Sequence, residues 1–215
     1  MPAASRTFTA RHVQLTRAVL AAAAALMITF SADHSASVGL SVFSGFAVAT
    51  GLVLALAAFL VLPAGHRWPT LVIAGASLVL GMAGGLPPIR TDGLFFGLVI
   101  AWAALTGLVE LIAGIRSRGS DGARDAVITG AAGLLLAGVL AVLPWGFAYE
   151  YTTPAGEAAS LTGIILGVGV FGAYTAIVAV LLGIAGLTPR VDRPARADAA
   201  TDADIDRLAD HGGHA

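Results

Sequence analysis

Six long apolar segments run through the chain, separated by short polar gaps. Their lengths cluster near the ~20 residues that an α-helix needs to cross the ~30 Å hydrocarbon core of a bilayer. Backbone polar groups inside lipid must be satisfied within their own segment, so each segment predicts a helix. The predicted spans cover residues 13–30, 38–62, 68–86, 93–115, 126–143 and 161–187. The fold class is therefore an all-α polytopic membrane bundle.

The charge content supports a lipid environment. Only 12% of the 215 residues are charged and 57% are hydrophobic, whereas soluble domains carry about 25% charged residues. The lipid bilayer is thus the expected partner of the outer surface. The net charge of −1 gives no support for nucleic-acid binding. The absence of cysteine excludes disulfides, thiolate metal sites and thiol catalysis.

The arginines predict the orientation. All twelve basic residues are arginine, and the lysine-free, Ala- and Gly-rich composition is typical of a high-GC bacterium. With six spans and the N-terminus inside, only Arg90 lies in an outer loop. The eleven cytoplasmic positions are then Arg6, Arg11, Arg17, Arg67, Arg116, Arg118, Arg124, Arg190, Arg193, Arg196 and Arg207. The opposite orientation would violate the positive-inside rule. We expect a multi-pass protein of a bacterial plasma membrane with both termini in the cytoplasm.

This orientation divides the chain into three parts. Residues 1–12 form a cytoplasmic N-terminal segment, residues 13–187 the six-helix transmembrane domain, and residues 188–215 a disordered cytoplasmic tail. The first span has a second interpretation. Arginines, an apolar stretch at 18–30 and the small polar segment 31–36 resemble a cleavable signal peptide. Cleavage would leave the later helices oriented in the same way, so charge does not separate these alternatives.

A weak internal repeat favours retention of the first span. Residues 50–53 recur 56 residues later as 106–109, and residues 73–76 recur 55 residues later as 128–131. Weaker counterparts occur in the first and sixth spans, at residues 15–18 and 174–177. The pattern predicts three tandem helical hairpins, made of spans 1–2, 3–4 and 5–6. Each enters and leaves on the cytoplasmic side, unlike the inverted repeats of many transporters. Chance alignment of Ala-, Gly- and Leu-rich segments is the alternative.

Two neighbouring segments resemble a known family. Residues 102–118 read WAALTGLVELIAGIRSR, and residues 128–144 read ITGAAGLLLAGVLAVLP. The Gly–x–x–Glu run with its basic helix end, followed by a Gly-rich helix and a terminal proline, resembles the HdeD-like membrane proteins. The resemblance covers about residues 13–187 and is best over 95–145. It implies a six-helix inner-membrane protein of three hairpins, associated with acid-stress resistance and without a defined biochemical activity.

The chain departs from that pattern in three places. Arg17 replaces the repeat glycine in the first span. Ala176 occupies the position in the sixth span that corresponds to Gly51 and Gly107, and the longer loop 144–160 breaks the spacing of the repeat. The favoured function is a non-enzymatic HdeD-like protein linked to acid or envelope stress. The alternatives are a small transporter or channel, and an accessory subunit of a larger membrane complex.

Polar residues are rare in the middle of the spans. Little occurs there beyond Thr50, Ser77, Thr106 and Thr175, whereas a transporter should line a cavity with polar groups near mid-bilayer. This favours the two functions without transport. The surfaces between helices could then serve a homo-oligomer or a membrane-protein partner.

Glu110 is the sole acidic residue inside a predicted span, and Arg17 lies at a similar distance from the cytoplasmic end of another. An ionisable residue within a membrane helix indicates a functional site by default. Three interpretations remain: a structural ion pair between Arg17 and Glu110, a glutamate solvated at the interface, or a proton or substrate site.

Glycines recur at a spacing that suits helix packing, because small residues let helix backbones approach closely in lipid. The candidate packing positions are Gly81, Gly85, Gly93, Gly97, Gly107, Gly130, Gly133, Gly163 and Gly167. The aromatic segment 144–151 is typical of an interfacial belt, with an outer ligand-binding lip as the alternative.

Enzyme chemistry has almost no support in the sequence. No Ser–His–Asp set or pair of carboxylates is legible, and no cofactor is expected. His211 and His214, with Asp206 and Asp210 nearby, are too few and too loosely spaced to predict a metal site.

Overall fold

The computed structural model describes residues 9–63, 65, 67–86, 90–117, 122–154, 156 and 158–188. Six α-helices account for most of them. The helices are α1 (Ala10–Thr29), α2 (Ala36–Leu60), α3 (Trp68–Gly84), α4 (Asp92–Arg116), α5 (Ala123–Val142) and α6 (Gly163–Leu187). By length and composition, five are able to cross a membrane, and α3 is a shorter apolar helix of 17 residues. Residues 1–8 and 189–215, with most of the two predicted terminal segments, lie outside the described residues.

The helix ends follow local chemistry. Thr91 caps α4 by accepting a hydrogen bond from the Leu94 N–H, and Ser35 accepts one from the Val38 N–H. Both are hydroxyl side chains at the position where free N–H groups need an acceptor. Leu143 is extended at the end of α5, because the residue before Pro144 avoids the helical conformation.

One element differs from the sequence prediction. The loop 144–160 contains an antiparallel hairpin, made of β1 (Ala148–Thr152) and β2 (Ala158–Thr162). The sixth helix therefore begins at Gly163 and not at Leu161, because Leu161 and Thr162 pair with Tyr149 and Ala148 in the sheet. Thr162 keeps an extended backbone as the N-cap of α6.

The six helices form a closed ring in chain order. Each packs against its neighbours in sequence, and α6 returns to pack along α1. The most extensive contacts join α4 to α5, α1 to α6 and α2 to α3, with smaller contacts between these pairs. The ring thus alternates three extensive interfaces with three smaller ones.

Two of the extensive interfaces repeat the same contact. A Cβ added at Gly51 would lie 2.9 Å from the Ala74 carbonyl oxygen, and one at Gly107 would lie 2.8 Å from the Gly130 carbonyl oxygen. Both pairs differ by the same 56 residues. Ala74 is therefore the counterpart of Gly130, and the alignment of Gly75 with Gly130 expected at 55 residues is wrong by one position. Gly75 has no neighbour within 4 Å of an added Cβ.

The two ends of the bundle differ in charge. At the first, here called the arginine end, α1, α3 and α5 begin and α2, α4 and α6 finish. Arg11 Nε donates to the Gly186 carbonyl oxygen at 2.8 Å, and Gln14 Nε2 donates to Asp125 Oδ2 at 3.3 Å. The arginines described there are Arg11, Arg67, Arg116 and Arg124. The opposite, hairpin end carries Arg90 and the β-hairpin.

Aromatic side chains fill the bundle from its middle towards the hairpin end. Phe43 contacts Trp102 and Phe171 edge to face, with ring centroids 5.7 and 5.9 Å apart. Such edge-to-face pairs are favourable beyond the area they bury. A smaller apolar cluster of Val13, Leu54, Ala57, Ile73 and Ala74 lies towards the arginine end.

Candidate functional site: an ion pair inside the bundle

Arg17 of α1 and Glu110 of α4 meet inside the bundle. Arg17 Nη2 lies 2.8 Å from Glu110 Oε1, and the two side chains are 19% and 13% exposed. The structure thus brings together the two charges that the sequence singled out. A carboxylate this buried, with an arginine in contact, does not fit the interpretation of a glutamate solvated at the interface. Opposite charges in contact offset the cost of burying each.

Polar side chains surround the pair. Thr50, Ser77, Trp102, Thr106 and Tyr174 line a cavity of about 20 Å³ together with Arg17 and Glu110. Trp102 Nε1 donates to Ser77 Oγ at 3.0 Å, and Thr106 Oγ1 donates to the Trp102 carbonyl oxygen at 2.7 Å. Three of the four mid-span polar residues of the sequence, Thr50, Ser77 and Thr106, therefore belong to one cluster. Together with Arg17, Glu110, Trp102 and Tyr174, the cluster draws side chains from α1, α2, α3, α4 and α6.

Two buried polar atoms of this cluster lack a hydrogen-bond partner among the described residues. They are Arg17 Nε and Thr50 Oγ1. Thr50 is 3% exposed, so bulk water does not reach its hydroxyl in this conformation. The equivalent repeat threonines satisfy theirs on their own helices: Thr106 donates to Trp102 and Thr175 to the Gly172 carbonyl oxygen at 2.8 Å. Thr50 is the exception of the three.

A larger cavity opens at the arginine end, here called the vestibule. It has a volume of about 670 Å³, within the range of small-molecule sites. Its walls come from the ends of α1 to α5 and are mostly apolar, including Val13, Leu54, Ala57 and Ile112. Arg116 and Ser117 lie at the same opening.

The predicted glycines fall into two groups. Gly107, Gly130 and Gly133 bring the backbones of α4 and α5 into contact, and Gly81 and Gly85 contact α2. Gly167 lies against the rings of Phe95 and Phe96, and Gly163 against the backbone of Pro144 and Trp145. Gly93 and Gly97 instead lie on the outer surface, and an added Cβ would meet nothing within 4 Å. Neither position is therefore packed against another helix of the described bundle.

Other close-packed glycines were not among the predicted set. Those at which an added Cβ would lie less than 3.0 Å from a neighbouring atom are Gly39, Gly51, Gly114, Gly172 and Gly186. A sequence signal existed for Gly51, which begins the same repeat motif as Gly107. The remaining four follow no four-residue spacing within one span.

The aromatic loop residues form a two-faced hairpin. Tyr149 and Tyr151 stack with ring centroids 6.3 Å apart and are 59% and 47% exposed. They share one face with their partners Leu161 and Ala159, while Glu150 and its partner Ser160 share the other. Before the hairpin, the Trp145 ring stacks on Phe96 at 5.0 Å.

The chemistry available to this interior is limited. It contains a neutralised charge pair, hydroxyls, an indole N–H and a phenol. Within the described ranges, no three His, Asp or Glu side chains are placed to hold a metal, and His211 and His214 with Asp206 and Asp210 lie outside those ranges. Such an interior is suited to hydrogen-bonding a small neutral molecule.

Comparison with known proteins adds no family assignment: no family model, curated protein or solved structure matches the chain.

Proposed function

We propose that the chain is a six-span bacterial plasma-membrane protein of three tandem hairpins with both termini in the cytoplasm. The packing of α3 supports counting this short helix as a membrane span, which brings the number of spans to six. Although α3 has only 17 residues, about 25 Å of helix, it packs antiparallel along α2. Its glycines meet α2 from Ser44, beside Gly85, to Val48, beside Gly81, and Ala74 reaches Gly51.

The six-span arrangement also accounts for the two charged ends. With an even number of spans, the arginine end faces the cytoplasm as a whole, consistent with the positive-inside rule. Arg90, near the hairpin end, then lies outside. There its guanidinium donates to Ser41 Oγ at 2.8 Å, so this outer arginine has a partner within the bundle.

We propose a non-enzymatic role in acid or envelope stress, in line with the resemblance to HdeD-like proteins. The observation that carries the non-enzymatic part is the chemistry of the interior. The charged groups that meet inside the described bundle, Arg17 and Glu110, neutralise each other, and the hydroxyls of Thr106 and Thr175 donate to backbone carbonyl oxygens.

The test is survival of a deletion strain after low-pH shock and after detergent stress, with growth at neutral pH as the control. The deletion should lower survival, and plasmid-borne wild-type protein should restore it. Survival equal to the parent strain under both stresses would contradict the stress role.

A small transporter is the second candidate, and the vestibule favours it. The vestibule of about 670 Å³ opens at the arginine end and lies one helical turn from the charged pair. It resembles the open part of a solute pathway, which the aromatic core closes towards the hairpin end in this conformation. Solute uptake into proteoliposomes, compared with Glu110→Gln protein, separates this candidate from the first.

An accessory subunit is the third candidate. Gly93 and Gly97 leave a smooth outer stripe on α4, the kind of surface on which another membrane helix packs closely. Co-purification in mild detergent should then yield a defined partner, and Gly97→Leu should release it while leaving the melting temperature of the isolated protein unchanged.

A further inference from the structure

The cavity beside the ion pair has the size of a water site. Its volume of about 20 Å³ exceeds the ~10–15 Å³ that one water molecule requires. A buried water also needs two to four polar partners. Thr50 and Arg17 both line the cavity, and Thr50 Oγ1 and Arg17 Nε are buried without a hydrogen-bond partner among the described residues. Thr106 Oγ1, whose proton is donated to Trp102, keeps free acceptor capacity.

The charges select a neutral occupant. Arg17 and Glu110 lie on the same cavity wall and are already in contact at 2.8 Å. Because the two charges neutralise each other, the pair offers a bare cation or anion little net attraction to offset the cost of leaving water. A molecule that both donates and accepts hydrogen bonds satisfies the N–H of Arg17 and the hydroxyl of Thr50 together.

The cavity lies one helical turn below the vestibule on four helices. Gln14 lines the vestibule and Arg17 the cavity on α1, and Leu54 and Thr50 do the same on α2. On α3 the pair is Thr70 and Ile73, and on α4 it is Ala113 and Glu110. The apolar cluster of Val13, Leu54, Ala57, Ile73 and Ala74 borders both spaces, because Val13, Leu54 and Ala57 line the vestibule and Ile73 lines the cavity. This cluster therefore forms the layer of side chains between them.

We propose that this cavity binds a water molecule that hydrates the Arg17–Glu110 pair and enters from the arginine end. The site is independent of the stress role proposed above, because it rests on the geometry of the bundle alone. It gives the protein a hydrated carboxylate in its interior, separated from the vestibule by a layer of apolar side chains and from the hairpin end by the aromatic core.

Solid-state NMR of the full-length protein in bilayers tests the site directly. In protein labelled with ¹³C-threonine, magnetisation transferred from water should reach the Thr50 methyl quickly. Thr175 is the matched control, because it is the equivalent repeat residue, is equally buried and has its hydroxyl satisfied by Gly172. Signals are assigned by their loss in Thr50→Val and Thr175→Val. Transfer to Thr50 as slow as to Thr175 would overturn the proposal.

Thermal melting gives a second test, because Thr50→Val should shift the melting temperature in different directions for a hydrated and a dry cavity. In a dry cavity, removing an unpaired hydroxyl is neutral or stabilising, so Thr50→Val would keep or raise the melting temperature. If the hydroxyl holds a water, the same change should lower it by about 2–4 °C. Thr50→Ser, which keeps the hydroxyl, should recover part of that loss.

The route of entry is tested at Leu54, in the layer between the two cavities. Leu54→Val should speed water transfer to Thr50, because it thins that layer. Leu136→Val is the control, since Leu136 is equally buried but lies in the other core cluster. An unchanged rate in Leu54→Val, with faster transfer in the control, would overturn entry from the arginine end.

Discussion

At the scale of single residues, Arg17 and Glu110 carry the largest electrostatic cost inside the bundle. A lone charge at the centre of a membrane helix costs about 2.5–3.5 kcal/mol on insertion scales and less near its end. Two opposite charges in contact on α1 and α4 offset that cost for each other. The pair should therefore behave as one energetic unit.

Removing one partner should destabilise more than removing both. Glu110→Gln and Arg17→Gln each leave an unpaired buried charge, which typically costs about 3–5 kcal/mol. The double variant should recover part of the loss in detergent melting temperature. Glu150→Gln, an exposed carboxylate on the hairpin, is the control and should melt like the wild type. Losses that simply add would show that the two residues are not coupled.

The sequence predicted this pair because each residue is the sole charge of its kind within its apolar segment. The sequence could not predict that the buried Thr50 hydroxyl lacks a hydrogen-bond partner among the described residues. Thr106 and Thr175 belong to the same repeat motif, yet they donate to carbonyl groups three or four residues earlier. Which rotamer a threonine adopts depends on the packing of neighbouring helices, and no local pattern encodes it.

At the scale of elements, glycine spacing predicts a smooth face but not its direction. Gly97, four residues after Gly93, and Gly107, in the repeat motif, both lie on α4. Gly107 contacts the backbone of α5, whereas Gly97 lies on the outer surface. The helix is apolar all round, so hydrophobic periodicity does not indicate which face turns inward.

Alanine substitutions should separate these two positions. A Cβ at Gly107 would lie 2.8 Å from the Gly130 carbonyl oxygen and 2.9 Å from Leu134 N. Both atoms are backbone, so the helices must move apart, and overpacking of this kind costs about 1–3 kcal/mol. Gly107→Ala should lower the melting temperature. Gly97→Ala, which meets no atom within 4 Å, should leave it unchanged or raise it, and equal losses at both would contradict the interface.

The sequence contains a strand pattern for the β-hairpin, but its aromatic residues also fit another interpretation. Phe147, Tyr149 and Tyr151 alternate with smaller or polar residues, the two-residue period of a strand. Because Trp and Tyr also favour membrane interfaces, the same residues are equally typical of an interfacial aromatic belt. The two interpretations are compatible, since a strand with one aromatic face can lie on the interface.

Spin labels on opposite faces of the hairpin test this placement. We expect the aromatic face to contact the bilayer interface, because an isolated two-stranded hairpin is marginal in water. A nitroxide on Tyr149→Cys should then be more accessible to oxygen, which concentrates in lipid. One on Ser160→Cys, on the opposite face, should be more accessible to a water-soluble nickel chelate. Equal accessibility would place the hairpin away from the membrane.

At the scale of the whole molecule, the closed ring depends on contacts that sequence patterns do not reveal. The repeat of about 56 residues predicts hairpins of spans 1–2, 3–4 and 5–6, whereas the most extensive contacts join α2 to α3, α4 to α5 and α1 to α6. The third extensive interface joins α1 to α6 across almost the whole chain, where Gly186 meets Leu15 and Gly172 meets Ile28. These segments carry only weak counterparts of the repeat motif, at residues 15–18 and 174–177, because Arg17 and Ala176 replace its glycines.

The proposed topology predicts which end of the bundle is reached from outside the cell. The chain contains no cysteine, so single-cysteine variants give unambiguous labelling. Thr152→Cys, on the exposed hairpin, should react in intact cells with a thiol reagent that does not cross membranes. Ser117→Cys, at the arginine end, should react only after the cells are opened. Reaction of Ser117→Cys in intact cells would contradict the six-span orientation.

The ring also predicts that α1 is retained in the mature protein. Signal-peptide cleavage near residues 35–38 would remove Arg17, leaving Glu110 unpaired in the interior, and would uncover the face of α6 that contains Gly172 and Gly186. Cleavage would thus leave a buried charge without its partner and expose a helix face that the intact bundle covers.

We therefore expect the intact mass of protein purified from membranes to include residues 1–35, and N-terminal sequencing to find no start near Ser35. A protein lacking these residues would contain five helices and no Arg17–Glu110 pair, and the melting temperature of such a species should no longer respond to Glu110→Gln as the full chain does.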